Sequence, residues 1–420
     1  MSSHTLANAD TAFVPDTSQL KARLRKAESR QRLRAYALIL PLLVFTLITF
    51  LVPIGLMLYN SVHDPVVHDA LPRTSALMRN IPQGAGVPDE AVFAALAADM
   101  KSATENQLTS KVAARLNFEG GGLRSIFMKT SRKVVALDAG PWKPVFLEID
   151  ASWGEPKIWS VLRQLRHEYT FDYYLHALDL TRDEQGAIVR YQENDRLYLD
   201  VFGRTLLVSL SVTLLALAIG YPLSFWLAHL PAKTSNLMMM LVLLPFWTSL
   251  LVRTTAWVVL LQKEGVINSA LMNLGLIQDP LALIFNRFGV VIAMTHILLP
   301  FMILPLYSVM RQIPPSYVRA ARSLGAGPFT AFWKVYFPQS LAGISAGVLL
   351  VFILAIGYYI TPALVGGAGD QMMSYFIADH LTRSLNWGLA SALGGLLLAG
   401  VLLLYALYDR FVGIANVRLG

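Results

Sequence analysis

Six long apolar runs constrain this chain more than any other feature. They are approximately Tyr36–Tyr59, Thr205–Leu227, Asn236–Leu261, Gly289–Met310, Ile344–Pro362 and Leu389–Tyr408. A helix needs about 20 apolar residues to cross a hydrocarbon core of roughly 30 Å. In lipid, only a helix or a closed barrel satisfies every backbone group. Six such runs predict an all-α polytopic membrane protein with six transmembrane helices. The chain is 55% hydrophobic and 15% charged, whereas soluble domains carry about 25% charged residues.

Charge placement orients the spans. Lys21, Arg23, Arg25, Lys26, Arg30, Arg32 and Arg34 precede the first run. With Lys233, Arg311, Arg319, Arg322, Lys334, Arg410 and Arg418 they make fourteen basic residues on one side. The short loops of the other side hold three: Lys263, Arg287 and Arg383. The positive-inside rule then puts both termini in the cytoplasm. The first run, 24 residues long and without a small-x-small site close behind, reads as a signal anchor rather than a cleaved leader. The net charge of +8 is accounted for by this asymmetry, and no nucleic-acid partner is expected.

Residues 61–200 break the apolar pattern. They hold 16 basic and 19 acidic residues, 35 of the chain's 62 charges. The expected organisation is a basic tail (1–34), a first span (35–60), an extracytoplasmic insert (61–200) and a core of five spans (201–420). The insert has no cysteine, so it must fold by packing alone. Helices are expected from Pro88 and over Lys157–His167, and strands at Val134–Leu137, Val145–Ile149 and around Asp183–Gly186, a mixed α/β domain. Trp142, Trp153, Trp159, Tyr173 and Tyr174 beside Glu148, Asp150 and Glu155 could box a cation, but aromatics of a small domain weigh as core and rim.

Between the fourth and fifth runs lies a patterned loop. Pro314-Pro315 opens a helix, Gly325 closes it in the left-handed conformation, Gly327-Pro328 starts a second, and Pro338 starts the next. Tyr317, Arg319, Ala320, Ala321, Leu324 and Gly325 are followed by Val335, Phe337 and Pro338. This spacing, with Leu244–Trp257 and Leu299–Tyr307, resembles the permeases of binding-protein-dependent ABC importers, nearest to the spermidine/putrescine-type group. The likeness covers about residues 201–420. It implies a type I importer fold and an ATPase-coupling loop at 311–340. It further implies a second, related but different permease subunit, two ATPase subunits and a periplasmic solute-binding protein, in the bacterial inner membrane. The pattern departs at Arg319, where the family usually has Glu, at Ser323 and Thr255, and in the insert itself.

No Asp or Glu lies in any of the six runs. That counts against an ion-coupled carrier, which needs an intramembrane carboxylate or His relay. His296 on its apolar helix reads as a bonded core residue. Arg253 reads either as a pathway residue or as one that snorkels to the boundary. Thr248, near Arg253, and the aromatics Trp247, Trp257, Tyr307, Tyr358 and Tyr359 are the other pathway candidates, the aromatic ring faces being suited to a cation. Pro245, Pro300 and Pro305 interrupt helices.

No Gly-Lys pair occurs, so no phosphate-cradling loop is present. His167-Glu168 lacks the second His of a zinc-peptidase helix. No catalytic residue, metal or bound cofactor is expected on this chain; ATP and Mg belong to the partner ATPases. The expected activity is polyamine import by alternating access. Alternatives are another amine, an amino-acid derivative, an opine or a metal chelate on the same machine. A membrane-anchored receptor built around the insert is the reading from another class.

Overall fold

The computed structural model describes residues 36–412. The basic tail and Arg418 lie outside the described residues. The chain divides into two units, residues 1–57 and 58–420. The described part of the first unit belongs to helix α1 (Tyr36–Asn60). A π turn at Leu47–Leu51 precedes Pro53 and absorbs its missing donor. Thr46 and Thr49 donate their hydroxyls to the carbonyls of Leu42 (2.9 Å) and Phe45 (2.6 Å), so neither presents an unpaired polar group to lipid.

The second unit opens with a helical subdomain. Its elements are α2 (Val66–Ala70), α3 (Pro72–Met78), α4 (Glu90–Glu105), α5 (Thr109–Glu119), α6 (Leu123–Val135), α7 (Trp142–Ile149), α8 (Pro156–Gln164) and α9 (Asp172–Ala177). A hairpin follows, β1 (Leu180–Arg182) antiparallel to β2 (Ile188–Arg190), with Thr181 opposite Val189. Asp183 closes its turn by accepting from the amides of Gln185 and Ala187 at 3.0 and 2.8 Å. The core is aromatic. The Phe93 and Trp159 rings stand 4.6 Å apart, Phe146 and Trp153 5.0 Å. The buried indole N–H groups are satisfied by Thr130 Oγ1 and the Trp153 carbonyl. Trp153 and Trp159 therefore belong to the core, while Trp142 lies near the Lys101 ammonium.

Two expected strands are helices instead. Val134 ends the buried stripe Leu123, Phe127, Thr130, Ser131, Val134 of α6, and the expected strand Val134–Leu137 splits into the last residues of that helix and a turn at Ala136. Val145–Ile149 lies in α7, whose N-terminal amides of Trp142 and Lys143 donate to the Glu90 carboxylate. A charge 52 residues away in sequence thus holds that turn. The expected helices are α4 and α8, and of the expected strands only the hairpin around Asp183–Gly186 forms, so the α/β mixture reduces to that one ribbon among the described residues.

The remaining helices are α10 (Tyr198–His229), α11 (Ala232–Leu243), α12 (Leu250–Leu261), α13 (Val266–Asn273), α14 (Arg287–Gln312), α15 (Pro315–Ser323), α16 (Pro328–Ile356), α17 (Ile360–Val365), α18 (Met373–Thr382) and α19 (Trp387–Val412). Among the described residues, α1, α10, α14, α16 and α19 are each long and apolar enough to cross a membrane, and one bent pair brings the total to six.

That pair corrects the expected continuous span Asn236–Leu261. The chain bends by 96° between Trp247 and Leu250. Pro245 lies in a 3-10 turn, Leu244–Trp247, and Ser249 restarts the helix by accepting from the Val252 amide at 3.2 Å. The run Ile344–Pro362 is likewise corrected: α16 stops at Ile356 and α17 begins at Ile360.

Helices α10, α14 and α16 pack as the centre of the bundle, burying Val208, Val212, Met294, Leu298, Met302, Leu306 and Val351. A Cβ on Gly347 would stand 2.7 Å from Met302 Sδ, and one on Gly343 3.1 Å from Leu306 Cα. Small residues here let two backbones approach.

The insert is fastened to the opposite end of α10 from the α14–α16 connection. Asp179, buried and at φ +55°, accepts from the amides of Leu197, Tyr198 and Leu199 at 3.1, 3.0 and 2.8 Å. One carboxylate thereby covers three of the four unpaired donors of a 32-residue helix. The Tyr173 ring lies directly on Gly388 at the start of α19, where a Cβ would meet it at 2.2 Å. Beneath this contact runs a buried chain of polar groups. Arg115 pairs with Asp64 (2.6 Å) and Glu119 (2.7 Å), Glu119 with His176 (3.0 Å), and His176 with the Tyr191 hydroxyl (2.7 Å). Burial alone would raise the Glu119 carboxyl, but Arg115 and His176 outweigh it and hold it at about 2.

Candidate functional site

The connection between α14 and α16 is a rigid hairpin of two contrasting sides. Pro315 opens α15 at its first turn. Its end is a Schellman turn: the Gly325 amide donates to Arg322 (3.0 Å) and the Ala326 amide to Ala321 (3.0 Å). Gly325 sits at φ +89° with nothing within 4 Å of where a Cβ would be. Its glycine is required by backbone conformation, not by crowding.

Helix α16 starts at Pro328 and does not restart at Pro338. It runs on to Ile356 through a π turn at Phe332–Tyr336, in which the Phe337 amide donates to the Phe332 carbonyl. The wider turn accommodates a proline that the tighter α pattern would reject. Gln339 Nε2 donates to the Val335 carbonyl at 2.8 Å.

The inner side of the hairpin is locked into the bundle. Phe332 and Tyr336 pack on Phe225 of α10 at 5.7 and 5.1 Å between ring centroids. Phe337 packs on Tyr221 at 5.9 Å, and the Tyr221 hydroxyl meets Ser340 Oγ at 3.0 Å. Arg311 donates to the carbonyls of Ala228 and Leu230 at 2.7 and 3.1 Å, tying the ends of α10 and α14 together. The outer side is bare. Leu324 is 89% exposed and Phe329 76%, with Tyr317 and Trp333 half exposed. Arg319 and Ala320 are exposed beside them, Ala321 less so. Val335 is partly covered and Pro338 exposed. Phe329 and Trp333 were missed in sequence; their spacing of four residues, one helical turn, was the available signal.

A second cluster forms on α12, at the bent span. The Trp257 indole donates to His296 Nδ1 at 3.1 Å, so the proton of a neutral His296 is on Nε2. Thr254 and Thr361 hydroxyls meet at 3.1 Å in the interior. Arg253 stands one helical turn before Trp257 on α12, and its Nε is buried without a partner. Trp257 thus joins that turn to His296, the residue that sequence reasoning set aside. The other pathway candidates have different surroundings. Trp247 is 80% exposed and Tyr359 is exposed, its ring 6.2 Å from Tyr375. Thr248 donates to the Pro245 carbonyl within its own turn. Tyr307 reaches Ser235 at the start of α11 (2.9 Å), towards the hairpin end.

Residues 220–417 match the family described as binding-protein-dependent transport system inner membrane component. The chain is 36% identical over 213 residues to the spermidine/putrescine transport system permease protein PotB of Haemophilus influenzae, covering 50% of this chain and 74% of that one. It is 32% identical over 263 residues to the inner membrane ABC transporter permease protein YdcU of Escherichia coli, covering 58% and 79%. Among solved structures it is similar to a bacterial ABC transporter involved in the import of the acidic polysaccharide alginate, at 16% identity and a TM-score of 0.46, covering 59% of this chain and 84% of that one.

Proposed function

The chain belongs to the family of inner membrane components of binding-protein-dependent transport systems, and from that premise we propose that it carries polyamines inward under the drive of separate ATPase subunits. It is a multi-pass permease subunit of an ABC importer, a transport component rather than an enzyme. The cargo is inferred from likeness to the PotB permeases.

In this reading the hairpin faces the cytoplasm and is gripped by an ATPase. Two such ATPases, holding ATP and Mg, close on binding nucleotide and push the hairpins of this chain and of a related permease. The observation that carries the reading is the two-sided hairpin. Aromatic packing on α10 makes its inner side one body with the bundle, while Tyr317, Leu324, Phe329 and Trp333 remain uncovered on the outside. A displacement there is transmitted as rigid-body rotation and not absorbed in a loop. The central path then turns outward to take cargo from a periplasmic binding protein, and hydrolysis resets it. The insert, at the far end of α10, lies on the periplasmic side.

The test is uptake of labelled spermidine into vesicles bearing this chain with its neighbouring gene products. Import should require internal ATP and survive collapse of the proton gradient. Transport by the purified chain alone, or loss of uptake with the gradient at full ATP, refutes the assignment.

Arg253 favours a second reading. A guanidinium with an unpartnered buried Nε attracts a carboxylate and repels an amine. An amino-acid derivative or opine would suit it. Competition of unlabelled amines and carboxylated amines against labelled cargo separates the two.

A further inference from the structure

We propose that His68, Asp69 and Glu168 form a zinc site that staples the start of the insert to its segment at residues 168–170. Their candidate ligand atoms all lie within 4.8 Å of one another. His68 Nδ1 is 3.2 Å from Asp69 Oδ1 and 3.5 Å from Glu168 Oε1. In a tetrahedral site with bonds of about 2.0–2.1 Å, neighbouring ligand atoms stand about 3.4 Å apart. Both distances from His68 match that spacing, and the two exposed carboxylates, within 4.8 Å of each other, would close on the metal from there. One imidazole and two carboxylates suit zinc rather than calcium or magnesium, which prefer oxygen alone.

Backbone pairing holds the three in place. The Asp64 amide donates to the Glu168 carbonyl at 2.7 Å and the Thr170 amide to Val62 at 2.8 Å. His63 and Tyr169 form a bridge between the same two segments. Residues 62–64, just before the helix that carries His68 and Asp69, are thus registered against residues 168–170. A metal shared by His68, Asp69 and Glu168 would clamp that junction, 100 residues of chain being closed between the outer ligands. The insert has no cysteine with which to make such a clamp.

The fourth position opens into a cavity of about 350 Å³ lined by His68, Arg79, Arg166, His167, Glu168 and Tyr169. Arg166 is already committed to the carbonyls of Met78 and Ile81, both at 2.8 Å. It also donates to His167 Nε2 at 3.1 Å, which occupies that nitrogen's lone pair. The fourth ligand is accordingly water. Glu168 belongs to the His167-Glu168 pair that has no second His in helical register; the imidazole it meets is 100 positions upstream.

The experiment uses the full chain in detergent, stripped of metal with a chelator, and titrates zinc chloride against a competing zinc dye. One equivalent should bind. His68→Ala and Glu168→Gln should each weaken it at least tenfold, and His167→Asn should leave it unchanged. Zinc-edge absorption should show nitrogen and oxygen ligands including one imidazole. Size-exclusion profiles establish that each variant is folded, and His68→Ala decides the matter if Glu168→Gln is not. Absence of a stoichiometric site in the wild type, or its full retention in His68→Ala, overturns the proposal and leaves the trio as an ordinary imidazole–carboxylate contact.

Discussion

Replacing Gly325 isolates what the hairpin's backbone contributes to force transfer. The residue sits at φ +89° and has open space around its missing Cβ. A substituent there clashes with nothing, so the entire cost is conformational. Placing an ordinary L residue in the left-handed region costs about 1–2 kcal/mol. If the turn reverts to a right-handed one, the bonds from Gly325 to Arg322 and from Ala326 to Ala321 are lost, at about 1 kcal/mol each. The two are alternatives and do not add: the strain sets the loss of the hairpin conformation seen here at about 1–2 kcal/mol, roughly five- to thirty-fold, and the two bonds oppose reversion. Gly325→Val should suffer most, Gly325→Ala less, and Gly325→Asn least, because Asn visits this region readily. All three should insert and express alike, since the bundle core is untouched. The assay is co-purification with the ATPase subunit and ATP-dependent uptake, measured on the same preparations. Undiminished coupling in Gly325→Val would show that the left-handed turn is dispensable. Equal damage from Asn and Val would show that side-chain contact, not backbone geometry, is at issue.

Asp179→Ala should uncap α10 and lower the thermal midpoint of the whole chain, at a cost of about 2 kcal/mol because three part-buried amides of its first turn lose their acceptor; Asp179→Asn should recover part of it. Gly388→Ala should drive a methyl into the Tyr173 ring and reduce folded yield sharply, and combining it with Tyr173→Ala should restore yield. Glu119 is held at about 2 in the folded chain, below its ordinary value of 4.5. Its stabilisation is therefore complete above about pH 5 and is lost as pH falls from there towards 2. Melting curves at pH 7, 4 and 3 should show a decline that Glu119→Gln flattens. Trp159→Ala should cost about 3–5 kcal/mol, seen as loss of protease resistance in the insert.

Much of the fold was legible because its signals are local. Apolar runs report on lipid wherever they sit, and the glycine that ends α15 is written into the residue itself. What escaped was settled between distant segments. α7 is helical because Glu90 covers its first turn. The bend in the third run needs Pro245 and the Ser249 cap together. Pro338 is tolerated because a π turn forms one turn earlier. Phe329 and Trp333 read as ordinary aromatics until the fold leaves them uncovered.

Sequence by itself determined that this chain crosses a membrane several times, carries a polar insert after its first span and presents a stiff connection between its fourth and fifth. Each of those follows from hydropathy, charge and backbone preference, which act over a few residues. Tertiary structure alone decided that Trp257 meets His296 and that Asp179 caps the helix that follows the insert. It also decided that His68 faces Glu168. Electrostatic and hydrogen-bond energies fall off within a few ångströms, and only the folded chain says which groups come that close.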